Sequence, residues 1–248
     1  MRKKSGTLLF LAVGFPALFH LSCNKENRWD CIKRTGKVAT ESRTISPFTK
    51  IRVRGNVDVF IKQGTTQEVS IEAGNNLIPL IKTEVDSGIL EIDNKNLCNW
   101  ARSYKRGNIN VYITMPTLRF LWNLGSGLVK SDDTITCDTL DIWAHQSGDV
   151  DLTVNASVIY TNMHTTADLT LHGKTNILGS WHVGEGYLHC EELQTEIAWV
   201  HSKSSGNDHV NVQTDLAATI DWEGNIYYAG NPAILLKGVG TGKLIKQN

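Results

Sequence analysis

The chain is short of most features that would assign it a chemistry at a glance. It has no excess of positive charge: 25 Lys and Arg stand against 25 Asp and Glu, so there is no basic field to gather nucleic acid. Its five cysteines include no Cys-x-x-Cys pair, which removes the usual zinc knuckle and redox motif. No Gly-x-Ser-x-Gly and no His-Glu-x-x-His occurs, and no Gly-Lys-Ser/Thr follows the glycine-rich turns Gly125-Ser126-Gly127 and Gly238-Val239-Gly240-Thr241-Gly242, so no nucleophile elbow, zincin helix or phosphate loop is present. Those glycines read as turns. No window longer than about ten residues sustains a 3.6-residue apolar period, which excludes an architecture built on helices. The one helix-like stretch, Asn76 to Ile81, is weakened by Pro79.

What is present begins with an address. Arg2, Lys3 and Lys4 precede an apolar run from Leu8 to Leu21, then Ser22 and Cys23. The run is shorter than the roughly 20 residues that span a bilayer and contains Pro16, so residues 1–22 read as a secretory signal. Leu21-Ser22-Cys23 resembles the lipobox of bacterial lipoproteins. That resemblance implies acylation of Cys23, a membrane contact through the lipid, and an exported, outer-membrane lipoprotein facing the periplasm or the surface. Residues 23–44 read as anchor and tether. Without residues 1–22, 226 residues remain, with 22 Lys and Arg against 25 Asp and Glu, a formal charge of 22 − 25 = −3.

From Ile45 onward the pattern changes to short alternating runs: Ile51-Arg-Val-Arg, Val57-Asp-Val-Phe-Ile, Val69-Ser-Ile-Glu, Ile89-Leu-Glu-Ile, Ile109-Asn-Val-Tyr-Ile. Each is bounded by Gly, Asn, Asp or Pro, the signature of strands and turns. The fold class is all-β, with a first β region over 45–124. Over 125–248 a turn and the strand after it recur, aligned on Gly127, Gly148, Ala167, Gly186, Gly206, Gly224 and Gly240, at intervals of 21, 19, 19, 20, 18 and 16 residues. Such a period is what a β-solenoid needs, since each coil buries its inner face only by stacking on its neighbours. A β-sandwich with regular hairpins is the alternative.

The stretch from Phe48 through Gly55-Asn56-Val57-Asp58-Val59 to Gly64, followed by Val69-Ser-Ile-Glu72-Ala73, resembles the opening of the head GIN domain family of auto-transporter adhesins. Ile109-Asn-Val-Tyr-Ile-Thr-Met-Pro116-Thr-Leu118, then Gly125-Ser126-Gly127, and later Ser147-Gly148-Asp-Val-Asp-Leu, repeat that family's pattern. The motif that names the family is altered, with Gly55-Asn56-Val57 where Gly-Ile-Asn would stand. The resemblance covers roughly residues 45–245 and implies a right-handed β-helix-like architecture with irregular coils, in a surface or periplasmic protein. It supplies no catalytic residues and no cofactor.

Candidate chemistry is sparse. Asp149 and Asp151 would point to one strand face about 7 Å apart, a separation usable in glycosidic acid-base work, and Asp168 lies in the same turn one repeat later. A solvated strand face explains them as well. Trp143, Trp199 and Tyr227, with Trp100, Trp181 and Tyr228, could stack on sugar rings or fill a core. Cys31 and Cys98 are the expected disulfide, both lying in polar connections, whereas Cys137 and Cys190 fall in strands and read as packed free thiols. His145, His164, His182 and His201 recur at intervals of 19, 18 and 19 residues. On a 19-residue coil they would form one column, capped by Trp122 and Trp222, that is either a stacking ladder or a transition-metal site. The functional readings are therefore a non-catalytic module binding a glycan or an envelope protein, a polysaccharide-active enzyme, or a purely structural envelope protein.

Overall fold

The computed structural model describes residues 34–97 and 109–247. Cys23, Cys31, Cys98 and Trp100, and with them the lipidation site and the expected disulfide, lie outside the described residues.

The alternating runs become strands because every second side chain is apolar and is taken out of water. Ile51 and Val53, Val59 and Ile61, Leu121, Ile142 and Leu171 are fully buried while their neighbours face outward. In chain order the strands are β1 (Val38–Arg43), β2 (Lys50–Gly55), β3 (Asp58–Gln63), β4 (Glu68–Gly74), β5 (Ile81–Asp86), β6 (Ile89–Asn94), β7 (Asn110–Met115), β8 (Phe120–Gly125), β9 (Val129–Ser131), β10 (Ile135–Ala144), β11 (Val150–Thr165), β12 (Leu169–Gly184), β13 (Leu188–Ser204), β14 (Asp208–Ile220), β15 (Ile226–Ala229), β16 (Ala233–Lys237) and β17 (Leu244–Lys246). The stretch around Pro79 is a single 3-10 turn, Ile78–Leu80.

The strands wind as a β-solenoid of about seven turns. One long face stacks in the order β6-β2-β8-β10-β11-β12-β13-β14-β16, all parallel. The other stacks β7-β3-β9-β11-β12-β13-β14-β15-β17, also parallel. The long strands β11, β12 and β13 run from the second face round a corner onto the first. The apolar cluster between the faces runs the length of the stack, from Phe48 to Ile226.

Chain order and stacking order part company near the start. The β2–β3 coil is laid down first, β6 and β7 then pair on one side of it, and β8 and β9 on the other. The outer side of that first end is closed by antiparallel strands: β5 on β6, and β4 on β7 with β1 beyond it. The β5–β6 hairpin turns at Ser87 (φ 50°) and Gly88 (φ 75°), two positive φ angles that give the turn the twist of its strands. β1 falls within the stretch read as anchor and tether; its partner is the free edge of β4. Parallel stacking also runs unbroken across residues 124 and 125, so the two β regions read from the sequence share one stack.

A glycine column fixes the register of the later coils. A Cβ on Gly148 would lie 2.3 Å from the Gly127 carbonyl, on Gly186 2.0 Å from Ala167, on Gly206 1.7 Å from Gly186, on Gly224 2.1 Å from Gly206, and on Gly242 2.0 Å from Gly224. The turn backbones thus pack closer than any side chain allows. The last member is Gly242 and not Gly240, which stacks on Trp222; the final interval is therefore 18 residues, matching the one before it. Beside the glycines runs a ladder of turn side chains, each accepting a backbone N–H from the next coil. Asp149 accepts from Asp168 N, Asp168 from Tyr187 N, Asn207 from Asn225 N and Asn225 from Lys243 N, all at 2.9 Å.

Candidate functional site

The outer surface of the first face is the richest feature. Counted back from each turn glycine, residue seven forms the column Phe120, Asp141, Tyr160, Gly179, Trp199, Ala217, Leu235. Residue five forms its neighbour: Trp122, Trp143, Asn162, Trp181, His201, Thr219. Small residues interrupt the aromatic ones, and those gaps make a groove. At Gly179 the missing side chain lets Tyr160 lean across: an added Cβ would lie 2.7 Å from Tyr160 Cδ1 and 3.9 Å from Trp199 Cε3. At Asn162 a short polar side chain separates Trp143 from Trp181. The resulting groove has a volume of about 500 Å3 and is lined by Trp143, Tyr160, Trp181, Trp199 and His201, with Thr219 and Asn162 as polar margin.

These rings are held open rather than packed away. Tyr160 is 43% exposed, Trp181 44% and Trp199 48%. Trp181 rests against His201, ring centroids 4.1 Å apart, and His201 Nε2 is 2.8 Å from Asp221 Oδ2, which fixes the imidazole that braces the indole. Trp143 is braced on the other side by Phe120, Trp122 and His145. A second groove of about 680 Å3 adjoins at Trp143, lined by Phe120, Trp122, Lys50, Arg52 and Arg119 together with Asp138 and Asp141. There Arg52 pairs with Glu91 and lies over the Trp122 ring, 4.6 Å from its centroid, while burial raises the Asp141 carboxyl above its ordinary pKa.

The histidines expected in one column are divided among three. His145 and His164 do stack, with ring centroids 4.9 Å apart. His145 accepts from Trp122 Nε1 at Nδ1 (3.3 Å), and its Nε2 lies 2.9 Å from Asn162 Oδ1. Burial, with the neighbouring His145 and His182, lowers the pKa of His164. The 18-residue step from 164 to 182 slips the register by one, so His182 pairs with Met163 and points inward. His201 then falls opposite Trp181 instead of His182. Trp222 lies in a turn beyond β14, and among the described residues no cluster of His, Cys, Asp and Glu could hold a metal ion.

His182 instead forms a sealed polar cluster. Its Nδ1 is 2.6 Å from Asp208 Oδ1 and its Nε2 is 3.1 Å from Ser204 Oγ, and all three residues are at most 1% exposed. The arrangement has the connectivity of a hydrolytic triad, but no substrate reaches it. Ser204 Oγ also accepts from Gly206 N and lies 2.9 Å from the Gly184 carbonyl, so it serves the turn. Cys190, buried in the same interior, has its thiol pKa raised by burial and by Asp208 and Glu191; Cys137 is half-buried and also raised by burial. Both are free thiols.

The carboxylates weighed for acid-base work are likewise engaged. Asp149 and Asp168 belong to the turn ladder, and Asp151 pairs with Lys130 at 2.6 Å and His172 at 3.2 Å. Tyr227 sits on the second face, away from the groove, where it ends a stack that sequence reasoning missed. His189 and His209 lie 5.7 Å apart, and His209 and Tyr227 4.7 Å apart with the rings 15° from parallel. Each is the third residue after its turn glycine, a spacing visible in the sequence once positions are counted from the turn.

Three comparisons bear on what this arrangement is. Residues 47–232, from just before β2 to just before β16, match the family described as "Putative auto-transporter adhesin, head GIN domain". No curated protein matches the chain. Among solved structures, a putative adhesin from Bacteroides fragilis aligns at TM-score 0.77 and 23% identity, over 85% of this chain and 97% of that one. A putative adhesin from Parabacteroides distasonis aligns at 0.66 and 20% identity, over 86% and 98%. A putative lipid binding protein from the same species aligns at 0.65 and 18% identity, again over 86% and 98%. At these identities the structures share the fold, and the family match carries the assignment: the chain belongs to the head GIN domain family of putative auto-transporter adhesins.

Proposed function

We propose that the chain is an exported, non-catalytic, adhesin-like module that holds a glycan on the outer groove of its first face and is tethered to the envelope by a lipid on Cys23. The observation that carries the glycan is the Tyr160–Gly179–Trp199 column, where one absent side chain turns two exposed rings into a continuous platform. The apolar faces of sugar rings stack on such rings while their hydroxyls hydrogen-bond at a polar margin, here Asn162, His201 and Thr219. From β2 to β13 the two grooves span five strand steps, about 24 Å at roughly 4.8 Å per step, which suits an extended oligosaccharide. An adhesin-like role agrees with the description of the family and with the exported address read from residues 1–23. The non-catalytic reading is supported by the engagement of the candidate carboxylates: Asp149 and Asp168 serve the turn ladder, and Asp151 pairs with Lys130 and His172.

The test presents the protein to a panel of envelope and host glycans, scoring retention and reducing-end release together. Retention on at least one glycan, weakened about tenfold by Trp199→Ala and by Trp181→Ala, is expected. Release of reducing ends would overturn the non-catalytic reading, and retention indifferent to both substitutions would remove the groove.

A further inference from the structure

The two ends of the solenoid are finished differently. The β6–β7 end is covered by antiparallel strands whose exposed positions are polar but for Val38: Thr40, Glu41 and Ser42 on β1, and Lys82, Glu84 and Asp86 on β5. At the other end β16 and β17 are the outermost strands among the described residues. β16 pairs only with β14 and β17 only with β15. Ile234 and Leu236 continue the inward columns of the buried Leu216 and Ala218, yet they are 46% and 53% exposed, because no further strand of the described residues stacks on them. Leu235 is 54% exposed, Val239 92%, and Trp222, beside Gly240, 54%. An apolar core left open at a solenoid end is what capping repeats exist to cover.

The last coil itself carries charge of one sign. Residues 224–248 contain Lys237, Lys243 and Lys246 and no Asp or Glu. The acids beside it on the preceding coil are Asp215, which lines a shallow pocket with Ile234 and Leu235, Asp221, engaged by His201, and Glu223. We propose that this end docks on an anionic lipid surface, with Leu235, Leu236 and Val239 entering the interface and the three lysines meeting headgroup charge. A second copy joined by the same end would oppose lysine to lysine, and the strands of the opposite end offer only Val38 as an exposed apolar counterpart. Exposed aliphatic side chains and a tryptophan ringed by lysine are the combination that an anionic bilayer satisfies on both counts.

The experiment uses the whole chain with an environment-sensitive fluorescent amino acid in place of Val239, so that contact made by the N-terminus is not read. Vesicles of phosphatidylcholine alone are compared with vesicles containing phosphatidylglycerol. A blue shift on the anionic vesicles alone is expected, falling as salt rises. Leu235→Glu should abolish it, and Lys237→Gln or Lys243→Gln should each weaken apparent binding about fivefold. All three positions are exposed, so folding is retained and is checked by circular dichroism. An unshifted probe on anionic vesicles overturns the proposal, even if the protein sediments with them, as does a shift produced by self-association in sedimentation velocity without lipid.

Discussion

The first third of the stack and the rest of it build the same cross-section by opposite routes. From β10 onward each coil lies on the one before it in the chain, every 18 to 21 residues, and the glycine column keeps count. From β2 to β9 the chain starts in the middle, folds back to lay β6 and β7 on one side of β2 and β3, and only then crosses to place β8 and β9 on the other. A neighbour-only array needs nothing but local succession. A core with strands on both sides of its first coil needs contacts far apart in sequence before any of it is stable. The later coils should therefore yield locally, and the first region as one unit.

The sharpest way to break that comparison is His182→Ala, which leaves Asp208 buried without its partner. A loss of about 4 kcal/mol is expected in urea unfolding. Hydrogen exchange should show protection falling in β12 to β14 while Val59, Ile61 and Ile113 keep theirs; equal loss throughout would mean one cooperative unit. Next, Gly206→Ala should cost about 3 kcal/mol, because its Cβ would lie 1.7 Å from the Gly186 carbonyl. Gly88→Ala in the β5–β6 turn, where φ is 75° but nothing lies within 4 Å of the new Cβ, should cost only about 1 kcal/mol. Similar values for the two would show that backbone strain, and not coil contact, sets the cost. A smaller effect, about 1 kcal/mol, is expected for Asp168→Ala, which removes one rung of the turn ladder. A thermal midpoint unchanged by that substitution would make the ladder ornamental.

The smallest effect is a pH dependence. The pKa of His164 is lowered on folding by burial, then by His145 and His182. The unfolded chain therefore takes up this proton first, so stability is complete above the ordinary histidine range and declines as pH falls through about 6.5. His164→Asn should flatten that slope, as followed by thermal melts between pH 7.5 and 5.5. An unaltered slope would place its origin elsewhere.

Much of the second region was legible because its signal is local. Alternation marks inward and outward side chains, and the turn glycines mark one point per coil, so an all-β solenoid follows from Gly127, Gly148, Gly186, Gly206 and Gly224 without coordinates. The histidine column failed because it was counted from histidine to histidine. His145 and His164 are three residues before their turn, His182 four and His201 five, and one residue of slip reverses a side chain from surface to core. His189, His209 and Tyr227 follow their turns by three residues each and do stack. Asp149 looked like a free carboxylate because its partner, the Asp168 N–H, belongs to a neighbouring coil 19 residues on.

By itself the sequence determined that the chain from Ile45 onward is built of strands, which face of them is apolar, and that the later coils repeat about turns that are glycine at all but Ala167, since each of these rests on the covalent chain within a few residues. Tertiary structure alone decided the crossed order of the first coils, the sealing of His182 with Ser204 and Asp208, and the meeting of Tyr160 with Trp199 across Gly179. Those depend on which strand lies beside which, and register between coils is set by packing and hydrogen bonds between residues that the chain itself holds far apart.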